Sequence, residues 1–555
     1  MPPRRSMGRR LLPAVAMAGL TALVFTATRA PRRPPRPGAP PPDAALVAGI
    51  DRAVARRQHA QDVDPAAPAD DLTVMRRAWL TLAGTIPSLD EIRRFESDIG
   101  HDRLDRWIAG LLAERRSAEH LAGRLARLVV GEATGPFIVF RRDRFMAWLT
   151  DALHANRPLD EIVAALVSAR GLWTDTPAVN FVTQAFANGS VDADVLAARV
   201  ARCFLGQRID CAQCHDHPFA PVTQAQFEGL AAHFAQARVT GLGLEDDPRR
   251  VHRIELPPEE HADAAEGVPT MGAMQATPRG RNVPPRVPFG AAWEPGHGTH
   301  RERLAGWLVH PDNRRFDRAL ANRIWQIVFG RAWHEPVDDL PDPQTGIDDD
   351  DPVDLVAASL REHGRDLRRS LGALTSTRLF RLDSRHPLRD DPDECERVDA
   401  AWAAFPLTPL HPEQLIAALS QATSLHTLDA DAHLLPRTVR FFRTIDFVRD
   451  HGRPGDGAAE SMVSTLPQSL LRMNGRLTRE LIEANAFTAA GRIAGMAADD
   501  DAAVETVYLT MLTRRPEPEE RSSMRAVLAG APTRGRGLED VCWALFNAAE
   551  FAWNH

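Results

Sequence analysis

The chain contains no lysine; all 67 of its basic residues are arginine. A Walker-type phosphate loop and a pyridoxal-phosphate Schiff base both require a lysine amine, so both chemistries are excluded. Tyrosine occurs once, and the abundance of alanine and arginine fits the codon bias of a GC-rich genome. Cysteine is also scarce. Cys203, Cys211, Cys214, Cys395 and Cys542 are odd in number and too few for a disulfide framework, so stability must come from packing. There is no G-x-S-x-G elbow and no H-E-x-x-H pair, which leaves hydrolase chemistry without a local signature. The run Asp348 to Asp351 lacks the alternating ligands and terminal glutamate of a calcium loop, and reads as solvated charge or as acid at the start of the helix "VDLVAASL". The formal charge is −7 and no basic run follows the first forty residues, which argues against nucleic acid as a partner.

What the chain does have begins with its amino terminus. "MPPRRSMGRR" is a positive leader, "LLPAVAMAGLTALVFTATRA" an apolar stretch of signal-peptide length, and "PRRPPRPGAPPPD" a proline-rich spacer. Residues 1–30 are therefore read as a signal peptide and 31–45 as a spacer, and the protein is expected to be exported, to the periplasm or the cell surface. Pro31 follows Ala30 without a clean cleavage site, so a retained membrane anchor is the alternative.

The remainder, with 44% hydrophobic and 25% charged residues in a chain of 555, exceeds what one core can organise. Apolar residues recur at helical spacing nearly throughout. "DLTVMRRAWLTLAG" predicts a helix closing at Gly84, and Pro87-Ser88 a turn into a second helix with Asp90 and Glu91 at its start. "RLDRWIAGLLAER", "RFMAWLTDALHAN" and "LDEIVAALVSA" continue the pattern, and "PFIVF" and "VHRIEL" are the short extended candidates. From Gly241 the composition turns to proline, glycine and charge. Helical periodicity returns at "RERLAGWLVHPDN" and "RRFDRALANRIWQIVFG", where Phe316, Leu320, Ile324, Ile327 and Val328 form a stripe closed by Gly330. The expected fold is mainly α, with helical domains at 46–240 and 300–555, a Pro/Gly-rich connector at 241–299 and few short strands.

The chemistry concentrates in "RCFLGQRIDCAQCHDHPF". On one or two helical turns Cys211, Cys214 and His215 share a face. This is what covalent haem attachment needs: two thiols for thioether bonds to the porphyrin and an imidazole to ligate iron. Pro218 disfavours helix at His217, and Thr223 with Gln226 forms a capping box for a helix burying Phe227, Leu230, Ala231 and Phe234. Two other readings share the motif. One is a zinc site using Cys211, Cys214, His217 and a distant ligand such as His233; the other is a Cys211–Cys214 disulfide. With haem c, a sixth iron ligand would come from Met271 or Met274 in the connector, or from His233. Each has an ordinary alternative, as a methionine packing a loop or a helix-face histidine.

"FLGQRIDCAQCHDHPFAPVTQAQFEGLAAHF", with "LAGTIPSLDEIRRFESD", resembles the secreted planctomycete-type cytochrome-associated family, domain of unknown function 1549. "RERLAGWLVHPDNRRFDRALANRIWQIVFGRAWHEPVDDL", "LPQSLLRMNG", "YLTMLTRRPEPEE" and "DVCWALFNAAEFAWNH" are similar to its downstream companion, domain of unknown function 1553. The resemblance implies export and a two-domain, mainly helical architecture; some relatives carry a further cytochrome c-type domain or a carbohydrate-binding-like insert. No settled activity comes with it. The family's C-x-x-C-H falls on Cys211, Cys214 and His215, and its D-H-P-F on Asp216, His217, Pro218 and Phe219. Two positions depart from the pattern: Val222 stands where an aromatic residue is expected, and Phe405-Pro406 where an arginine pair is expected.

In the second domain Asn322, Arg323 and Trp325 lie on one helix ahead of Asp338-Asp339, where an arginine forked onto paired carboxylates would fix the loop or, if exposed, bind a polar ligand. Two functions are expected from these residues. The first is an exported protein bearing haem c or derived from such a protein, in electron transfer or an oxidative step with a redox partner. The second is a cell-surface interaction or scaffold protein whose cysteine–histidine cluster is structural. The residues name no catalytic group.

Overall fold

The structure is a computed structural model and describes residues 43–131, 141–219, 221–255, 280–341, 348–428 and 476–555. Helices dominate and strands are few and short, so the fold is mainly α. The chain forms two compact units, each built from segments distant in sequence. One joins 61–120 to 378–555, and the other joins 43–60 to 121–377. The units therefore interleave stretches that a linear division at 46–240 and 300–555 keeps together. Contacts such as Gln414 Nε2 to the Leu80 carbonyl, at 2.9 Å, close the first unit across more than half the chain.

In the first unit the helix Asp71–Ala83 is capped by Asp70, whose carboxylate accepts from the Leu72 and Thr73 amides, and it ends at Gly84 with φ 66°. That left-handed conformation suits glycine, which carries no Cβ penalty there. The helix buries Arg76 and Arg77 as well as its apolar stripe. Arg76 donates to the carbonyls of Met511 (3.0 Å) and Phe551 (3.3 Å). Arg77 donates to the Phe380 and Leu382 carbonyls and stacks 3.6 Å over Phe405. The departure at Phe405 thus supplies a buried face for an arginine. The core brings Leu80 and Ile86 together with Ile416, Val504, Val507 and Leu538 from the later helices.

The next helix, Leu89–Ser97, starts with a capping box between Ser88 and Glu91. Glu91 is fully buried. It accepts from Arg116 (2.6 Å), Trp79 Nε1 (3.3 Å) and the Ser88 amide and hydroxyl (both 3.0 Å), so both carboxylate oxygens are satisfied.

In the second unit the helix Arg314–Phe329 packs on Pro352–Glu362, which also receives Ala44–Ala60, while His300–Leu308 packs on Leu159–Ser168. The stripe Phe316, Leu320, Ile324, Ile327 and Val328 is buried, and Gly330 closes its helix at φ 77°. Asp351 accepts from the Val353 amide, the role of helix-start acid expected for that run.

The described residues within 241–299 form short strands. Gly243–Asp246 pairs with Gly171–Leu172 on one side and Ala237–Val239 on the other, both antiparallel. Gly243 is needed at the crossing, because a Cβ there would lie 2.2 Å from the Gly171 carbonyl oxygen. His252–Glu255, within "VHRIEL", pairs with Gly280–Val283. "PFIVF" lies outside the described residues.

Candidate cofactor-attachment site

The approach to the cluster is set by backbone geometry. Helix Ala193–Val200 runs into a π-helical turn, Ala201–Leu205, which stops at Gly206 with φ 61°. A Cβ at Gly206 would fall 2.8 Å from Leu340 Cδ1, and its carbonyl accepts from the Leu340 amide at 2.7 Å. The chain then forms a 3-10 turn, Asp210–Gln213, in place of the α-helical turn the spacing suggested. Ile209 and Ala212 point inward and are buried, whereas Cys211 and Cys214 are exposed free thiols. The Cys211 carbonyl accepts from the Cys214 (3.3 Å) and His215 (3.4 Å) amides, which keeps the two cysteines and the histidine on one turn.

The other three cysteines are of a different kind. Cys203 is buried, its thiol meets the Leu128 carbonyl at 3.2 Å, and burial pushes its pKa up. Burial pushes Cys542 up to about 12. Cys395 is half-buried against the Arg389 carbonyl. Burial disfavours the thiolate that reactivity requires, which leaves the outward pair as the accessible one.

The stretch after the pair is tied down by hydrogen bonds. His215 Nδ1 lies 2.8 Å from the Asp216 carbonyl oxygen. The His217 amide donates to the Val222 carbonyl at 2.8 Å, and the Phe219 amide to His217 Nδ1 at 3.2 Å. Asp216 Oδ1 accepts from the Gln224 amide at 2.8 Å. The helix Gln224–Ala231 opens with the capping box of Thr223 and Gln226, and Phe227, Leu230, Ala231 and Phe234 are buried as expected. Phe219 is 95% exposed, with its ring edge toward His217. Gln213 reaches Asp194 on the neighbouring helix (3.4 Å), and burial raises the pKa of that carboxyl.

A family described as protein of unknown function DUF1549 (PSCyt2) matches residues 49–239, and one described as protein of unknown function DUF1553 (PSD1) matches residues 300–436, in that order. The chain thus carries a DUF1549 region followed by a DUF1553 region. No curated protein and no solved structure is significantly similar to it.

Within the DUF1549 region, His233 is a buried helix residue. Its Nδ1 faces the Gly229 (3.1 Å) and Leu230 (3.2 Å) carbonyls and its Nε2 lies 3.3 Å from Glu294. Both nitrogens are occupied, so the ring would have to break these contacts to serve the cluster as a zinc or iron ligand. Its hydrogen bond, more than any other influence, holds the Glu294 carboxyl below the usual carboxylate range. Met271 and Met274 lie outside the described residues. Among the described residues no group of three or more His, Cys, Asp or Glu side chains is arranged to hold a metal ion.

In the DUF1553 region Asn322 fixes the following loop by donating to the His334 carbonyl (2.8 Å) and accepting from the His334 amide (3.1 Å). Arg208, from the stretch just before the cysteines, reaches Asp338 at 2.8 Å, and Arg323 donates to the Arg202 carbonyl at 2.9 Å. The helix therefore supports the backbone leading to Cys211. Spacing along one helix could not show that link, because the partners lie more than a hundred residues apart.

Proposed function

We propose that the chain is an exported protein that carries haem c on Cys211, Cys214 and His215 and acts in electron transfer or in an oxidative step with a redox partner. The observation that carries this reading is the pairing of two exposed thiols on one turn with an adjacent imidazole whose Nδ1 is taken by a backbone carbonyl. A histidine that ligates a metal through Nε2 commonly donates its other ring N–H in this way. Cys211 and Cys214 would hold the porphyrin through thioether bonds, and His215 would hold the iron. When bound, the group would supply one-electron chemistry. The exposed Phe219 beside His217 offers an apolar ring of the kind a macrocycle covers.

Export rests on the leader in residues 1–30, which lie outside the described residues. No helix among the described residues is long and apolar enough to cross a membrane. The second reading, a cell-surface scaffold with a Cys211–Cys214 disulfide, draws on the same two free thiols on one turn. The test is a pyridine haemochrome spectrum of full-length protein exported alongside haem c maturation machinery. A c-type spectrum absent from Cys211→Ala/Cys214→Ala supports the haem reading. Colourless wild-type protein refutes it.

A further inference from the structure

We propose that Asp216 is a positioning residue that holds His215 in the Nδ1–H tautomer, making it the ligand, beside a His217 that the Phe219 amide holds in the Nε2–H tautomer. The inference rests on the haem reading for its use, and on hydrogen bonding for its argument. A carbonyl oxygen can only accept, so the 2.8 Å contact from His215 Nδ1 to the Asp216 carbonyl places the proton on Nδ1 and leaves the lone pair of the neutral ring on Nε2. A backbone amide can only donate, so the 3.2 Å contact from the Phe219 amide to His217 Nδ1 places that ring's proton on Nε2. Two histidines separated by one residue are thereby given different chemistry. His215 offers a lone pair through Nε2, whereas His217 has its Nδ1 lone pair engaged. The zinc arrangement that would use His217 through Nε2 is disfavoured by the same geometry.

Asp216 is where the two halves meet. Its carbonyl accepts from His215 Nδ1–H, and its side chain accepts from the Gln224 amide, the first amide of helix Gln224–Ala231, at 2.8 Å. That amide has no partner within its own helix, so the carboxylate satisfies an otherwise orphaned donor at the positive end of the helix. The carboxylate thus anchors the 215–217 backbone to an ordered element, while the His217 amide to Val222 carbonyl bond closes the far side of the loop. Without the anchor the Asp216–His217 peptide is held only from its amide side, by the bond to the Val222 carbonyl, and the acceptor that fixes the His215 ring is less firmly placed.

The test uses full-length apo protein labelled with 15N-histidine, read by long-range 1H–15N NMR at about pH 8, above the ordinary histidine range. His215→Ala and His217→Ala assign the signals. Wild type is expected to carry Nδ1–H at His215 and Nε2–H at His217. Asp216→Ala should shift His215 toward the Nε2–H form that free imidazole side chains prefer, and Asp216→Asn, which keeps an acceptor for the Gln224 amide, should restore wild-type behaviour. Gln224→Pro guards against misfolding of Asp216→Ala. It removes the amide proton at a first helical position, where proline is tolerated, together with a side chain that donates to the Gln213 carbonyl at 3.3 Å, and Thr223 is already extended at φ −87°, ψ 158°. Gln224→Ala controls for the lost side chain. The proposal is overturned if wild-type His215 carries Nε2–H, or if either Asp216→Ala or Gln224→Pro leaves the pattern unchanged. On haem-loaded protein, loss of the Nδ1 hydrogen bond weakens the imidazole as a base, so Asp216→Ala should raise the reduction potential relative to wild type. Wild type with the expected tautomers and no haem defeats the haem reading alone; haem present with unaltered tautomers in the variants defeats the positioning role alone.

Discussion

Two helices in this chain begin with the same device and put it to opposite uses. Ser88 and Glu91 form one capping box, Thr223 and Gln226 the other. At the first, the third residue is a carboxylate that is fully buried and saturated by Arg116, Trp79 and Ser88. At the second, the third residue is a neutral amide, and the turn before it turns its thiols and His215 outward while anchoring only Ile209 and Ala212. A buried charge costs several kcal/mol to desolvate and is tolerated only with all its partners in place, so the first site can serve stability alone. The second carries little that the fold depends on, which leaves its side chains open for chemistry.

That contrast predicts a graded set of effects. Glu91→Leu should cost the most, about 3–5 kcal/mol in the urea transition of its unit, because it takes from the buried Arg116 guanidinium its fully buried partner, leaving the partly exposed Glu114, and removes the acceptor of Trp79 and Ser88. A cost near that of a surface substitution would break the comparison at once. Glu91→Leu/Arg116→Met should recover part of the loss, since it removes the buried guanidinium together with its buried carboxylate partner. Thr223→Ala should cost about 1 kcal/mol, seen as faster hydrogen exchange at the start of its helix. Glu294 sharpens the comparison through pH. Its folded pKa lies below the ordinary 4.5, so its contribution is complete above that value and is lost as pH falls through the lower folded one. The difference in Tm between wild type and Glu294→Gln should accordingly shrink on acidification below about pH 4.5. In haem-free protein Cys211→Ala/Cys214→Ala should change stability least, by no more than about 0.5 kcal/mol, because neither thiol is buried.

Features of the sequence that act over a few residues were legible. The stops at Gly84 and Gly330, the capping box at Thr223 and the stripe from Phe316 to Val328 all depend on local backbone chemistry and helical period. What depends on distant partners was not. The interleaving of the two units, the strand Gly243–Asp246 against Gly171–Leu172 and the pairing of Arg208 with Asp338 have no period of their own. The buried clasp at Glu91 had a signal, since Ser88 stands three residues before it, but an acidic residue in a first helical turn reads equally well as an exposed partner of the helix dipole. At the cluster, composition put both cysteines and both histidines in one place. Only the hydrogen bonds of Asp216 and Phe219 separate the two rings.

The absence of lysine makes the decisive measurement simple. Trypsin can cut this region only after arginine, which releases Ile209–Arg238 with Cys211 and Cys214 as its sole cysteines. Mass spectrometry of that peptide, from protein exported with haem c maturation machinery, should show it heavier by one haem. The same peptide unmodified, or lighter by two hydrogens through a Cys211–Cys214 disulfide, would contradict the account.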